Sequence, residues 1–431
     1  MALAAAGCRP GMPIREAVRP TSPYERYAQS LRDAGLAETA LGREWLAAGD
    51  RALREAVQVG LPFREAGYLP PDEPAAVAYR LELRRGQRFQ AELQLEPADG
   101  ARVFLDVFES RPEGEPRRVA HADAGASTLE FEPSRDGTYL LRVQPELLRG
   151  GRYELVQQAS ASLLFPVVGA DSRAVASHFG APRDGGAREH HGVDIFAPRG
   201  TPVLSATDGL VSSVQTTARG GRVVWVWDPS RGASLYYAHL DEQLVSQGQR
   251  VRMGEQIGTV GNTGNARGTA PHLHFGIYAR GEGPLDPYPF VHQPRAGPPA
   301  VTASRDALGG VRRTAPASLR LRAGSSTDAP ILAELPRHTI VRIEGAAADW
   351  YRVSLPDGRR GYVTSRGTQP LDSALRSHRP AQPTLVRQRP APLGTPVDQI
   401  EAGAGVPVLG RYDDYLFVRT PDGREGWIQG D

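Results

Sequence analysis

Segments of alternating apolar and polar residues, separated by glycine, proline and aspartate, constrain the fold of this chain more than any other feature. Examples are "YRLELRRGQRFQAELQL", "ARVFLDVFE", "STLEFEP" and "GTYLLRVQP", all between residues 79 and 145. Because successive side chains of a strand point to opposite faces, the alternation predicts strands with one buried face. Several such strands in succession predict an antiparallel β-sandwich, which we assign to residues 67–160.

A helical period precedes this region, and we assign residues 21–66 to a helical segment of two short helices. Ser22 is placed to cap the first helix, Pro23 suits its first turn, and Glu25 completes a capping box. After the sandwich, residues 161–295 are again rich in strands and glycine, with a turn expected at Asp228–Gly232 between two strands. The chain is therefore expected to be mainly β and multidomain.

Composition excludes several classes of function. The chain has 431 residues, more than one ordinary domain, and 51 basic against 49 acidic residues with interspersed signs. Nucleic-acid binding would need a basic stripe, which is absent from the sequence. The basic residues are all arginine, which excludes a phosphate-binding loop of the Walker type. No apolar run approaches the ~18 residues of a spanning helix.

Cys8 is the only cysteine, so the chain forms no internal disulfide. It ends the segment "LAAAGC", which resembles the end of a bacterial lipoprotein signal, although only seven residues precede it. We assign residues 1–20 to a leader remnant and linker, and we expect a lipid anchor at Cys8 if translation starts upstream. The alternative is a terminal segment that carries a cysteine by chance.

The C-terminal part contains an internal repeat with an offset of 65 residues. "LRAGSSTDAPILAEL" aligns with "VRQRPAPLGTPVDQI", and "WYRVSLPDGRRGYV" aligns with "YLFVRTPDGREGWI". A repeat of this size with a closing Gly-aromatic pair resembles the bacterial SH3-like barrel. We therefore expect two small barrels, at 301–370 and 378–431, each closed near Tyr362 or Trp427. The resemblance implies binding of cell-wall peptides; the alternative is that the barrels only pack against the preceding domain.

The stretch "APHLHFGIY", residues 270–278, places two histidines on one face of an expected strand. His272 and His274 share that face, whereas Leu273 and Phe275 point into a core. These two histidines either form a polar patch on a solvent-exposed strand or are directed at a bound group that requires two nitrogen atoms. Short histidine patterns recur by chance, so the pair alone does not decide between these readings.

Two further histidine stretches lie in the same region. In "REHHGVDIF", an extended segment puts His190 and Asp194 on one face and turns His191 away. In "YYAHLD", His239 is expected on a strand with Tyr237 on the same face. Imidazole nitrogens and carboxylate oxygens are ordinary zinc ligands, and a catalytic zinc takes three protein ligands and a water. Three of the five groups as ligands, with two free histidines beside the water, would form a complete hydrolase.

The order R-x-H-x-G-x-D, Y-A-H-L and G-N-T-G…P-H-L-H-F resembles the lysostaphin/LytM-type zinc endopeptidases, which cut peptide bridges of bacterial peptidoglycan. The resemblance covers residues 162–292. It implies that His190, Asp194 and His274 bind Zn²⁺, and that His239 and His272 are an unligated pair that orients water and stabilises the oxyanion. The sandwich in turn resembles the jelly-roll accessory domains of secreted bacterial peptidases.

Two departures from the family pattern lie beside the site. Many relatives carry an acidic residue after "HLHF", where this chain has Gly276, which we expect to widen the groove. The loop "GNTGNARGTAPH" is longer than the common form. The remaining histidines lack a spaced partner, so we expect surface or capping positions for His121, His178, His292, His338 and His378, and a solvent-facing position for His191.

The sequence therefore predicts a zinc metalloendopeptidase of the bacterial cell envelope that acts on peptidoglycan peptides. Alternatives are a non-catalytic envelope regulator that activates cell-wall amidases and a wall-binding scaffold. Expected partners are peptidoglycan peptides and a regulatory protein, with membrane contact only through the anchor at Cys8. Expected location is the periplasm.

Overall fold

The computed structural model describes residues 21–96, 101–294 and 296–430 of the chain, so the expected anchor at Cys8 lies outside the described residues. The described part is mainly strands, arranged in several sheets, with few helices. The expectation of a mainly β, multidomain fold is confirmed. In the described residues, no helix combines the length and apolar character needed to cross a membrane.

The N-terminal helices are α1 (Pro23–Asp33) and α2 (Ala40–Arg54), joined through a 3-10 turn at Leu36–Glu38. The predicted capping box is present. The Ser22 hydroxyl accepts from the Glu25 amide at 3.1 Å, and the Glu25 carboxylate accepts from the Ser22 amide at 2.9 Å. Trp45 of α2 is buried, and its indole N–H donates to the Pro145 carbonyl at 2.9 Å, which fixes the helices on the sandwich.

The sandwich buries the apolar face of each alternating segment. Its strands are β1 (Val57–Gln58), β2 (Phe63–Leu69), β3 (Val77–Leu83), β4 (Gln87–Glu96), β5 (Val103–Glu109), β6 (Arg117–His121), β7 (Thr128–Phe131), β8 (Gly137–Pro145) and β9 (Gly151–Ala161). One sheet has the order β1-β3-β8-β5-β6 and the facing sheet contains β2-β9-β4-β7. Tyr79, Leu81 and Leu83 alternate inward along β3. Strand β2 begins at Phe63, inside the segment predicted to be helical, because its alternation starts before the expected boundary at 67.

The next part is built on an eight-stranded sheet. The strands of this part of the chain are β10 (Val175–Ser177), β11 (Pro182–Arg183), β12 (Arg188–Glu189), β13 (Val193–Phe196), β14 (Pro202–Leu204), β15 (Gly209–Thr217), β16 (Gly221–Asp228), β17 (Ala233–Leu240), β18 (Glu242–Gln243), β19 (Arg250–Val251), β20 (Gln256–Thr259), β21 (His272–Ala279) and β22 (Gly283–Leu285), followed by α3 (Tyr288–Val291). Two smaller sheets, β11-β12 and β14-β20-β18, lie outside the eight-stranded sheet. The sheet order is β10-β13-β21-β17-β16-β15-β19, with β22 on β21. The predicted turn joins β16 to β17. Strand β21 is therefore central and lies between β13 and β17.

The sandwich contacts this sheet through side chains and backbone. Arg85 pairs with Glu282 at 2.5 Å and Arg231 pairs with Glu132 at 2.9 Å. The Ser162 amide, which follows β9, donates to the Gly86 carbonyl in the turn between β3 and β4 at 3.1 Å. Glu282 lies in the turn after β21, so the sandwich attaches near the end of that strand remote from its two histidines.

The repeat region forms two further strand groups. The first has β23 (Val311–Thr314), β24 (Ser318–Arg322), β25 (Ile331–Pro336), β26 (Ile340–Ala347), β27 (Trp350–Ser354), β28 (Arg360–Thr364) and β29 (Thr368–Gln369), and the second has β30 (Arg376–His378), β31 (Thr384–Arg387), β32 (Pro396–Ile400), β33 (Val406–Tyr412), β34 (Tyr415–Arg419) and β35 (Glu425–Gln429). Strand β26 pairs with β2, Ala346 opposite Ala66, so the first repeat continues a sheet of the sandwich.

Each repeat closes at the predicted aromatic residue, since Tyr362 of β28 pairs with Arg322 of β24 and Trp427 of β35 pairs with Arg387 of β31. The two rings themselves pack into neighbouring parts of the chain. Tyr362 is fully buried in the core of the sandwich, and its hydroxyl donates to Glu65 at 3.2 Å. Trp427 packs with Tyr412 and Phe417 in the core of the first repeat. Units of this size bury little apolar surface alone, so large rings are better covered at a junction between units.

Candidate metal centre and its histidines

The cross-strand register of the eight-stranded sheet brings the candidate ligands together. Asp194 on β13 lies directly opposite His274 on β21. Because directly opposed residues of antiparallel strands have Cβ atoms ~4.5–5.5 Å apart, this pairing alone places carboxylate and imidazole within contact. His190 reaches the same point from the segment between β12 and β13.

His190 does not share a strand with Asp194, contrary to the sequence prediction, because β13 begins only at Val193. The predicted directions nevertheless hold: His190 is 2% exposed, whereas His191 is exposed to solvent. The intervening turn brings His190 over the strand pair.

The donor atoms of the three side chains form a small triangle. His190 Nε2 lies 3.0 Å from Asp194 Oδ1, and His274 Nδ1 lies 2.9 Å from the same oxygen. The two ring nitrogens are 3.0 Å apart. Within the described residues these groups form a cluster that could hold a metal ion. Three lone-pair atoms this close need a proton or a cation between them.

Gly192 allows this approach because it has no side chain. A Cβ at Gly192 would lie 2.8 Å from His274 Cε1 and 2.6 Å from the Phe275 carbonyl oxygen. Both contacts are closer than real Cβ atoms come, so any larger residue would displace the His274 ring from Asp194. The glycine of the H-x-G-x-D pattern is therefore required by packing of the second histidine.

Neighbouring groups hold the ligand candidates in place. The Nδ1 of His190 lies 2.9 Å from the His178 carbonyl, which leaves Nε2 facing the triangle. Arg183 donates to Asp194 Oδ2 at 2.7 Å and to the Ser177 hydroxyl at 2.5 Å. Arg183 was not among the site residues predicted from the sequence, since an arginine in the loop "APRDGG" gives no signal that it will face a carboxylate eleven residues later.

These contacts determine the ionisation of the aspartate. Burial by itself raises the pKa of Asp194, but hydrogen bonds from His190 and His274 outweigh it and hold the pKa well below its usual range. Burial lowers the pKa of His274, and the hydrogen bond with the Asp194 carboxylate acts in the opposite direction. The site therefore offers a carboxylate and a neutral imidazole, the forms that bind metal.

His239 and His272 lie beside the triangle as a second pair. Their ring centroids are 5.0 Å apart, and His239 lies 5.9 Å from the His274 ring. His272 Nδ1 is 2.9 Å from the Ala270 carbonyl, and His239 Nδ1 is 2.9 Å from the Thr263 carbonyl. A carbonyl only accepts, so Nδ1 carries the proton in each ring and Nε2 of the neutral form is left as an acceptor.

A β-bulge places His239 on the site face. Tyr237, expected on that face, packs in the core against Phe275, while Tyr236 lies 5.8 Å from the His274 ring. The register between β16 and β17 shifts at this point, and His239 has a φ of 64°. The extra residue reverses the alternation, so strand parity assigned the wrong tyrosine.

Burial lowers the pKa of His239 to about 4, with smaller contributions from His272 and His274. The imidazole is therefore neutral at pH 7 and able to accept a proton.

The rings of the remaining histidines are not part of the candidate metal cluster, as expected. One of these histidines is buried, although a surface or capping position was predicted. His178 is exposed and contributes its backbone carbonyl rather than its ring. His378 is 5% exposed rather than on the surface, because it lies on β30 against β33. The other histidines are partly buried: His121, His292 and His338.

Residues 188–287, which contain all five groups, match the family model described as Peptidase family M23. The chain contains a peptidase family M23 domain. Members of this family are metallopeptidases, so the domain implies a bound metal. Residues 317–369, the first repeat, match the bacterial SH3 domain, which agrees with the SH3-like resemblance of the repeats.

The matches to curated relatives cover about a quarter of this chain. The chain is 38% identical over 118 residues to the peptidoglycan DD-endopeptidase ShyC of Vibrio cholerae, with 26% of each protein covered. It is 39% identical over 117 residues to the L-Ala–D-Glu endopeptidase of Bacillus subtilis, covering 25% of this chain and 36% of that protein. The chain therefore spans well under half the length of either relative.

Among solved structures, the catalytic domain of lysostaphin from Staphylococcus simulans is 31% identical, with 27% of this chain and 90% of that chain covered and a TM-score of 0.25.

Proposed function

We propose that this protein is a zinc-dependent endopeptidase that hydrolyses peptide crosslinks or bridges of bacterial peptidoglycan. The observation that carries the proposal is the juxtaposition of two groups of side chains. His190, Asp194 and His274 converge their donor atoms within 3.0 Å of one another, and two further imidazoles lie beside them with Nε2 available. A metal site next to proton acceptors is the arrangement that hydrolysis of an amide requires.

The donor set fits zinc. Two imidazole nitrogens and one carboxylate oxygen are common ligands of catalytic zinc, and His190 has its other ring nitrogen on a backbone carbonyl, as metal-bound histidines do. Zinc bound there would supply a water of lowered pKa and polarise the scissile carbonyl.

The chain's own residues carry the protons and the developing charge. His239 and His272 each have Nδ1 on a backbone carbonyl and Nε2 directed elsewhere, so we assign to one of them the acceptance of the proton of the attacking water. The resulting imidazolium faces the developing oxyanion, and it transfers that same proton to the departing amine as the C–N bond breaks, which returns the imidazole to its neutral form. Because the two rings are 5.0 Å apart, both can reach the same substrate carbonyl region.

A non-catalytic regulator of cell-wall amidases and a wall-binding scaffold are the competing functions. Neither needs an intact donor triangle or two neighbouring imidazoles whose Nδ1 atoms are fixed by carbonyls. Retention of all five groups favours catalysis. The names of the two relatives specify different peptide bonds, and the proposal leaves the bond unassigned between a stem crosslink and a bridge.

The deciding experiment is digestion of purified peptidoglycan. The zinc-loaded protein is expected to release peptides with a new amino terminus, identified by mass, and activity is expected to disappear on chelation and return with added zinc. Digestion unaffected by chelation would contradict the metal mechanism. Tightly bound zinc without any hydrolysis would favour the regulator, whereas absence of zinc would favour the scaffold.

A peptidoglycan substrate implies an extracytoplasmic, cell-envelope location, and we propose the periplasm, with a lipid anchor at Cys8. The segment "LAAAGC" supports the anchor. Protein expressed from the genomic start should carry a diacylglyceryl mass on Cys8; an unmodified cysteine would exclude the anchor. We also propose that the SH3-like units bind wall peptides, which co-sedimentation of the zinc-free protein with peptidoglycan measures.

A further inference from the structure

The ring of His272, one of the two histidines beside the candidate ligands, packs against a phenylalanine. Phe196 is the last residue of β13 and lies directly opposite His272, the first residue of β21. Because β13 and β17 flank β21, Phe196 and His239 approach His272 from opposite sides. Their ring centroids lie 4.9 Å and 5.0 Å from that of His272. The His272 ring therefore lies between two other rings.

The two ring contacts of His272 differ in geometry. Phe196 is stacked on the imidazole at an interplanar angle of 27°, whereas His239 meets it edge to face at 66°. Both are preferred arrangements of aromatic pairs, but only a stacked ring lies along a face of its partner. The contact with Phe196 therefore restricts the tilt of the imidazole plane more directly than the contact with His239.

The position of Phe196 is unusual for its residue type. It is 38% exposed, and no other aromatic side chain among the described residues is exposed. The preceding residue, Ile195, is fully buried and fills the core beneath the strand. Since leaving apolar area in water is unfavourable, the core does not explain a phenylalanine at position 196. Its stacking contact with His272 does.

Hydrogen bonding alone leaves the orientation of the His272 ring loosely defined. Among the described residues, the ring has one hydrogen-bond partner, the Ala270 carbonyl, which lies 2.9 Å from Nδ1. The χ2 torsion of histidine has a broad energy profile, so a contact at one edge still lets the ring plane turn. Stacking on Phe196 restricts that motion, and with it the direction of Nε2.

We propose that Phe196 is a positioning residue, whose ring holds the imidazole plane of His272 so that Nε2 is directed at the reacting groups of the substrate. This rests on the proposed peptidase function and adds to it a residue outside the five groups. Misplacing a proton-transfer group slows the chemical step without weakening the binding of substrate. The effect of Phe196 is therefore expected in kcat.

The test measures the turnover of soluble peptidoglycan fragments by zinc-loaded variants. Phe196→Ala should lower kcat about three- to tenfold, which matches the free energy of one aromatic pair, with KM and zinc content unchanged. Phe196→Tyr keeps the stacked ring and should keep kcat, whereas Phe196→Leu is apolar without an aromatic ring and should resemble Phe196→Ala. A raised KM with unchanged kcat would show that the ring contacts substrate instead, and would overturn the proposal. Wild-type kcat in Phe196→Leu would also overturn it.

Leu210→Ala is the matched control for removal of a partly exposed apolar side chain. Leu210 is 39% exposed and lies on β15, three strands from β21 in the same sheet. This variant should keep the kcat of wild type. A loss equal to that of Phe196→Ala would assign the effect to general loosening of the domain and contradict the proposal.

A double variant tests whether Phe196 acts through His272. In a His272→Ala background, Phe196→Ala should cause no further loss of kcat, because the ring that it positions is already absent. A further three- to tenfold loss would contradict action through this histidine.

Nuclear magnetic resonance of the histidine rings separates this proposal from the proposed function. In zinc-loaded protein labelled on histidine, the ring protons of His272 are identified by comparison with His272→Ala. They should show a ring-current shift that Phe196→Tyr keeps and Phe196→Leu loses. If zinc-loaded wild type hydrolyses no peptidoglycan fragment, the peptidase function fails, and the positioning of the ring is judged by this spectrum. A shifted and broadened His272 signal in Phe196→Ala supports it, and an unchanged signal contradicts it.

Discussion

Replacing His190 by alanine is expected to remove bound zinc and hydrolysis together. In the proposed site three side chains would provide the protein donors, and His190 Nε2 is 3.0 Å from both other donor atoms, so we expect no neighbouring group to substitute for it. Asp194→Ala should behave in the same way. Because metal binding needs the complete set, we expect stoichiometric zinc in wild type and almost none in either variant after desalting, measured by elemental analysis.

Substitution of His239 or His272, the two histidines beside the proposed ligands, is expected to leave the zinc content unchanged. His239→Ala and His272→Ala should retain zinc and lose about two or more decades of rate, as expected for a missing proton-transfer group. The zinc content of each variant is the internal control, since it separates loss of chemistry from loss of the metal. Near-normal turnover by zinc-loaded His272→Ala would contradict the roles assigned to the two histidines.

Arg352→Met is expected to destabilise the sandwich and first repeat by about 3–5 kcal/mol, the usual cost of breaking a buried ion pair. The Arg352 guanidinium lies 3.0 Å from Glu65, and the side chains are 4% and 0% exposed. Glu65 also accepts from Tyr79 at 2.7 Å and Tyr153 at 2.9 Å. Loss of the cation would leave a buried carboxylate with hydroxyl partners only.

Urea unfolding followed by tryptophan fluorescence measures this effect. Arg320→Met is the matched control, since Arg320 pairs with Glu334 at 3.7 Å in the same repeat with 58% and 61% of the side chains exposed. Such surface pairs contribute ~0–1 kcal/mol. Equal shifts in the two variants would show that the buried pair contributes no more than a surface pair. Zinc content should be unchanged in both.

The packing of the first repeat against the sandwich also affects how binding to peptidoglycan should be tested. Trp350 and Tyr362 of the first repeat lie in the core of the sandwich. Removing residues 301–431 would therefore uncover that core, and weaker binding to peptidoglycan would report misfolding as well as lost targeting. Substitution of exposed residues on the repeats is the better experiment.

The local sequence was sufficient for much of the fold and of the candidate site. Alternation between Gly, Pro and Asp predicted strands, because a half-buried strand has a period of two. The capping box around Ser22 predicted the start of α1. The histidine pair on β21 could be assigned to one face for the same reason, with Leu273 and Phe275 in the core. The order of the histidine motifs then gave the resemblance to lysostaphin/LytM-type endopeptidases, and the match of residues 188–287 to peptidase family M23 agrees with it.

Only the tertiary structure decided the features that depend on contacts between distant segments. Arg183 reaches Asp194 through a loop whose path no local pattern specifies, and the bulge at His239 reverses strand parity because one extra residue is accommodated between β16 and β17. The repeat alignment assigns Tyr362 to the first repeat, but its ring packs in the core of the sandwich because β26 pairs with β2. Periodicity determines which face a side chain occupies; the partner that covers that face depends on how the sheets join.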